Sequence, residues 1–252
     1  MATQRLIPGR GLSLSIPTGD GRQELVDLPT EGIHPALLVA NEQSPVNAAS
    51  YRMVADQLLG ADWWSPRRIF VTSPTGGDGK TCTAFNLALA LAFNTRGASV
   101  LLVELNFARP RFSSFLGGLQ IRFGVDCAIR RLAHPADCVF SMGGEMLGVS
   151  AVKNAMRMSE LRQHLPQLAS YLKWGSDNFD WLILDCPPVL SLAWNKWFRE
   201  YARPALLVVR ELHTPAVQVR HATRRLGAGL KGVLLNDVVT ADTSQREADS
   251  DG

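Results

Sequence analysis

The stretch Arg68-Ile69-Phe70-Val71-Thr72-Ser73-Pro74-Thr75-Gly76-Gly77-Asp78-Gly79-Lys80-Thr81-Cys82 decides how this chain of 252 residues is expected to fold. Its first five residues are an apolar run of strand length, its middle is rich in glycine, and Leu87, Leu89, Leu91 and Phe93 continue it as a helix over residues 80–93. A strand, a glycine loop and a helix in that order form the context of a phosphate loop. Glycines let backbone N–H groups converge on phosphate oxygens, and the helix N-terminus adds unpaired donors and the positive end of its dipole. On this reading Lys80 reaches the β- and γ-phosphates of ATP, Thr81 ligates Mg2+, and Thr75, Gly76, Gly77, Asp78, Gly79 and Cys82 complete the cradle. The loop departs from the plain GxxxxGK[ST] pattern, because Pro74 stands where its first glycine would be.

Outward from this loop, four more short apolar runs follow, at 99–103, 181–184, 205–209 and 232–235. Helix-compatible segments separate them, at 159–174, 214–226 and, more briefly, 125–132. Strands that return through helices predict an α/β fold whose sheet is mostly parallel and covered by helices on both faces. A further helix is expected over 46–59, where Val46, Tyr51, Val54 and Leu58 recur at helical spacing. Residues 1–45 hold Pro8, Gly9, Gly11, Pro17, Gly19, Gly21, Pro29 and Pro35, and read as an irregular N-terminal arm. The expected division is therefore the arm at 1–45, a P-loop domain at 46–238, and an acidic, disordered tail at 239–252.

The run Trp181-Leu182-Ile183-Leu184 ends in Asp185, and Cys186-Pro187-Pro188 stops it there. An acidic residue at the end of such a strand accepts from magnesium-bound water or from the hydroxyl of the loop. Asp185 is thus the expected second half of the site.

Composition narrows the alternatives. Apolar residues make up 46% and charged residues 19%, a balance that folds. The net charge is only +3 and no run of five basic residues occurs, so nothing here predicts nucleic-acid binding. Nor are there 18 consecutive apolar residues to cross a membrane. Cys82, Cys127, Cys138 and Cys186 lack zinc spacing and a secreted disulfide pattern, which fits a reducing cytoplasm. Arg210, Arg220, Arg224, Arg225 and Lys231 gather around the last helix, as a solvated face or as a surface for an acidic partner or lipid headgroups.

These elements together resemble the ATPase domain of the bacterial tyrosine kinases of polysaccharide export, the BY-kinase or CpsD/CapB-like family, within the deviant Walker A superfamily that also holds the ParA/MinD positioning ATPases. The likeness rests on the loop form SPxxGxGKT, on Leu101-Leu102-Val103-Glu104-Leu105-Asn106-Phe107-Ala108-Arg109-Pro110 beside the family's LLIDADLRRP, and on Asp185-Cys186-Pro187-Pro188 beside DTPP. Leu206-Leu207-Val208-Val209-Arg210 and Gly232-Val233-Leu234-Leu235-Asn236 are similar to its LLVVR and GVVLN strands. The resemblance implies that Lys80, Glu104, Asn106 and Asp185 occupy the catalytic positions. It implies Thr81, Glu104 and Asp185 around the metal, and Arg210 and Asn236 on the nucleotide, Asn236 at adenine. It further implies work beside a membrane polysaccharide co-polymerase, whose cytoplasmic tail would hold the protein at the inner membrane, and a homo-oligomer.

Departures from the family fall on the phosphotransfer residues. Its two A-prime aspartates are Glu104 and Asn106 here, and an amide cannot accept a proton at working pH. The oligomer-forming Glu-x-x-Arg-x-x-Arg falls on Ala49, Arg52 and Ala55, and no tyrosine follows Asp237 to be phosphorylated. The reading is a BY-kinase-like ATPase of exopolysaccharide or capsule biosynthesis. Its alternatives are a catalytically weak pseudokinase scaffold and a positioning ATPase, the last disfavoured because Thr75 stands where those proteins carry a signature lysine.

Overall fold

The structure, a computed structural model, describes residues 13–17, 23–27, 45–60, 67–93, 98–142, 146–194 and 196–237, with side chains from residue 48 onward. Trp63, Trp64 and the expected acidic tail at 239–252 lie outside the described residues.

The five expected runs are strands: β3 (Arg68–Thr72), β4 (Val100–Glu104), β7 (Trp181–Asp185), β8 (Ala205–Arg210) and β9 (Leu230–Asn236). Four more join them: β1 (Ser13–Pro17), β2 (Gln23–Asp27), β5 (Phe140–Met142) and β6 (Leu147–Ser150). One nine-stranded sheet results, in the order β2-β1-β5-β6-β4-β7-β3-β8-β9. Pairing is parallel from β6 through β9, and antiparallel between β2 and β1, β1 and β5, and β5 and β6.

The expectation of an irregular arm over 1–45 is corrected at two places. β1 and β2 pair Ser13 with Asp27 through Pro17 with Gln23, and Leu14 pairs with Met142 of β5. Glycines and prolines flank the two segments, but Ser-Leu-Ser-Ile-Pro alternates as an edge hairpin does, and Pro17 stands at the strand end, where a missing donor is tolerated. β5 and β6 run for only three and four residues, too few for a hydrophobic period to show.

Eight helices occur among the described residues: α1 (Pro45–Leu59), α2 (Lys80–Ala92), α3 (Phe112–Phe115), α4 (Val125–Ile129), α5 (Met158–Gln163), α6 (Leu165–Asn178), α7 (Lys196–Tyr201) and α8 (Ala216–Leu226). The single helix expected at 159–174 is two, because Pro166 has no N–H to give and its ring opposes the carbonyl four residues earlier. The chain restarts with proline in the first turn of α6, where its missing donor is harmless.

Helices cover both faces, and the strand alternation divides the core accordingly. Ile69 and Val71, Val100 and Leu102, and Trp181 and Ile183 face α1, α2 and α3. Phe70, Leu101, Val103, Leu182 and Leu184 face α4 through α8. α2 is buried nearly all round, since α1 packs over it and leaves it between a helix layer and the sheet. Trp181, Trp194 and Trp197 are packing residues on these faces, all buried.

Candidate nucleotide-binding site

The chain leaves β3 through α2 to β4 on one side, while β7, the strand between β4 and β3, is followed by α7 and leads to β8 on the other. The crevice at the carboxyl ends of β3 and β7 is therefore a topological switch point, where open α/β sheets bind ligands. The loop after β3 and Asp185 at the end of β7 both lie there.

Two bonds zip the strand ends together: Cys186 donates its N–H to Val71 O at 2.9 Å and Val189 donates to Ser73 O at 2.8 Å. The Thr72 hydroxyl adds a bond to Pro187 O at 2.8 Å. Within the loop, Gly77 and Gly79 have φ of 91° and 90°, the left-handed region that glycine adopts without strain. A Cβ on Gly76 or Gly77 would meet nothing within 4 Å, so the backbone there borders open space. A Cβ on Gly79 would instead lie 2.0 Å from Asn236 Nδ2.

Asp78 organises the rest of the loop. Its Oδ2 accepts from Thr75 N at 2.9 Å and Thr75 Oγ1 at 3.1 Å, and its Oδ1 accepts from Thr214 Oγ1 at 2.9 Å. Asn236 Nδ2 donates to Asp78 O at 3.1 Å. The loop is thus fastened to the ends of β8 and β9. Thr214 was not foreseen, and the only signal for it was its place just before Pro215 and α8.

Thr81 Oγ1 donates to Asp185 Oδ2 at 2.8 Å. Asp185 is fully buried, and its Oδ1 has no hydrogen-bond partner. Burial pushes its carboxyl up to about 6, against the opposing charge of Lys80 and the Thr81 hydrogen bond. A buried carboxylate oxygen without a donor, next to a lysine and a threonine hydroxyl, is a position that suits a cation. With an open glycine cradle at the head of α2, these residues fit a nucleotide phosphate and its magnesium.

The remaining expected residues take other partners. Glu104, beside Asp185 in the β4–β7 register, is fully buried. Its Oε1 accepts from the N–H of Arg111 and from Phe112 N at 3.2 Å, and its Oε2 accepts from Val152 N at 2.9 Å. Burial raises its pKa to about 7, and the charge of Asp185 adds to the rise, while the three backbone donors oppose it. Asn106 closes the turn after β4, its Nδ2 donating to Arg109 O at 2.9 Å. Arg210 is engaged by Asp237, with Nε 2.9 Å from Oδ2. Cys82 sits in the first turn of α2, where burial lifts its thiol to about 11. The sequence reading also missed Asp126, a buried carboxylate whose Oδ1 accepts from Lys153 N at 2.7 Å and whose Oδ2 accepts from Asn154 N at 3.2 Å. It pairs with Arg130 at 3.3 Å, which bridges to Glu160 at 2.8 Å. Glu104 and Asp126 together hold the consecutive N–H groups of residues 152–154, and Gly124 is required beneath them, since a Cβ would lie 2.3 Å from Ala151 O.

Residues 66–192, half of the chain, match the family model described as ParA: NUBPL iron-transfer P-loop NTPase. The septum site-determining protein MinD of Synechocystis sp. is 31% identical over 163 residues, 64% of this chain and 58% of the relative. The putative tyrosine-protein kinase AmsA of Erwinia amylovora is 25% identical over 174 residues, 68% of this chain but 24% of the relative. This chain therefore spans less than two thirds of the length of either. Among solved structures, the kinase domain of the Escherichia coli tyrosine kinase ETK superposes with a TM-score of 0.70 at 22% identity, over 90% of this chain and 92% of that one. The fold of this chain is that of a bacterial tyrosine-kinase domain.

Proposed function

We infer that this chain, which belongs to the ParA family of P-loop NTPases, binds ATP with magnesium and works in exopolysaccharide or capsule biosynthesis or export as a relative of the bacterial tyrosine kinases. The observation that carries the reading is the pair Thr81 and Asp185, bonded at 2.8 Å with Asp185 Oδ1 left without a donor. Lys80 and the backbone of residues 75–80 would hold the phosphates, Thr81 and Asp185 would hold the cation, and Asn236 and Arg210 would lie toward the base. Bound magnesium supplies positive charge that offsets charge on the transferred phosphoryl group. This chain's own part is positioning: Asp78 fixes the loop through Thr75 and Thr214, and Glu104 fixes the strand end beside Asp185.

Kinship with AmsA and the length over which the fold follows ETK favour the kinase branch. Thr75 speaks against a positioning ATPase, since both its N–H and its hydroxyl turn inward to Asp78. The partner in this reading is the cytoplasmic tail of a membrane polysaccharide co-polymerase, which would bring the chain to the membrane from the cytoplasm. Among the described residues no helix is long and apolar enough to cross a membrane.

A second reading, an ATP-binding scaffold with slow turnover, is favoured by the employment of Glu104 and Asn106 in backbone hydrogen bonds. Incubation with labelled ATP, magnesium and the co-polymerase tail separates the two. Label on tyrosine that is absent in Lys80→Ala supports the kinase, and binding without turnover supports the scaffold. Failure to bind any purine nucleotide removes both.

A further inference from the structure

Helix α8 presents an exposed charge of one sign. It seats Ala222 and Leu226 in the core and turns Arg220, His221, Arg224 and Arg225 outward. The spacing 220/224 stacks two arginines on one row of the helix, where like charges oppose one another, and Arg225 lies on the adjacent row. α8 contains no Asp or Glu, and none of the ion pairs among the described residues involves its arginines. Among the described residues, Arg225 donates to a carbonyl, Trp194 O, at 3.4 Å.

The point at which the chain leaves the sheet lies next to this helix. Asn236, the last residue of β9, is in register with Arg210. Arg210 donates its N–H to Thr214 Oγ1 at 3.0 Å, two residues before α8 begins, and its guanidinium holds Asp237 at 2.8 Å. The sequence then continues through residues 238–252, which carry Asp242, Glu247, Asp249 and Asp251 against the single Arg246. At about 3.3 Å per residue that segment can span roughly 50 Å. α8 is about 16 Å long at 1.5 Å per residue.

We propose that the acidic segment 238–252 docks along the basic face of α8 of its own chain, its carboxylates opposite Arg220, Arg224 and Arg225. The tether keeps the segment at an effective concentration in the millimolar range, so individually weak exposed pairs suffice.

The test is an amide NMR spectrum of the full chain as salt rises from about 0.01 M to about 1 M, which shortens the screening length from about 30 Å to about 3 Å. Signals of residues 242–251 and of α8 are expected to move together. Arg220→Glu with Arg224→Glu is expected to place the tail signals, at low salt, where high salt places them in the parent. Asp249→Lys with Asp251→Lys should do the same to the α8 signals, and decides the matter if the helix variant fails to fold. The shifts are expected to persist on about tenfold dilution. Tail signals that ignore salt and the charge reversals, or that respond only as concentration rises, overturn the proposal, the latter in favour of a second copy.

Discussion

Thr81 and Asp185 are 104 residues apart in sequence and 2.8 Å apart in space, joined by a buried hydrogen bond from hydroxyl to carboxylate. The proposed site turns on that contact, because it sets the first turn of α2, directly after the glycine loop, against a carboxylate with one oxygen still open.

Asp185→Asn keeps the shape of the side chain and removes its charge. A charge-assisted bond contributes about 1.5–3 kcal/mol, so the magnesium-dependent part of ATP affinity should fall by roughly 10- to 100-fold. Binding measured by calorimetry with and without chelator checks it, and equal magnesium dependence in parent and variant would refute the assignment.

Gly79→Ala and Gly76→Ala should behave oppositely. The first places a Cβ 2.0 Å from Asn236 Nδ2 at a φ of 90°, and such strain amounts to about 1–3 kcal/mol. The second meets nothing within 4 Å and should leave thermal stability almost unchanged. Melting curves of the two variants, run side by side, give the contrast.

The nucleotide-free protein should lose stability as pH rises. Glu104 and Asp185 have folded pKa values of about 7 and about 6, above their ordinary 4.5 and 3.8, so the native state binds more protons than the unfolded chain between those limits. Their contribution is therefore complete below about pH 4 and is lost as pH climbs through 6 and 7. Denaturant titrations from pH 4.5 to 7.5 should show a fall that is smaller in Glu104→Gln. An equal fall in the variant would mean that Glu104 titrates normally.

Asp126→Ala should be among the most destabilising single changes. It strands the N–H groups of Lys153 and Asn154 and removes the buried partner of Arg130, a class of change that costs about 3–5 kcal/mol. Equilibrium unfolding in urea measures it, and a loss under about 1 kcal/mol would show that the loop at 151–154 holds without the carboxylate.

Much of this was legible beforehand. The strands β3, β4, β7, β8 and β9 announce themselves as buried apolar runs, and glycines before Lys80 mark the loop, because both are local consequences of composition. β1, β2, β5 and β6 were not legible, since strands of three to five residues gain their pairing from neighbours rather than from their own pattern. The break at Pro166 was written in the sequence and passed over, because helical periodicity continues across it.

The sequence by itself determined the parallel α/β layering, the loop from Thr75 to Cys82 and the candidacy of Asp185, because strand period, glycine content and a carboxylate at a strand end are properties of contiguous residues. Only the tertiary structure decided what the carboxylates do. Glu104 and Asp185 stand side by side in register. One is surrounded by the amides of Arg111, Phe112 and Val152, while the other is left with a single hydroxyl and an open oxygen. That difference is made by backbone N–H groups brought from segments seven to forty-eight residues away, and the donors that reach a buried carboxylate are set by packing, which no local spacing encodes.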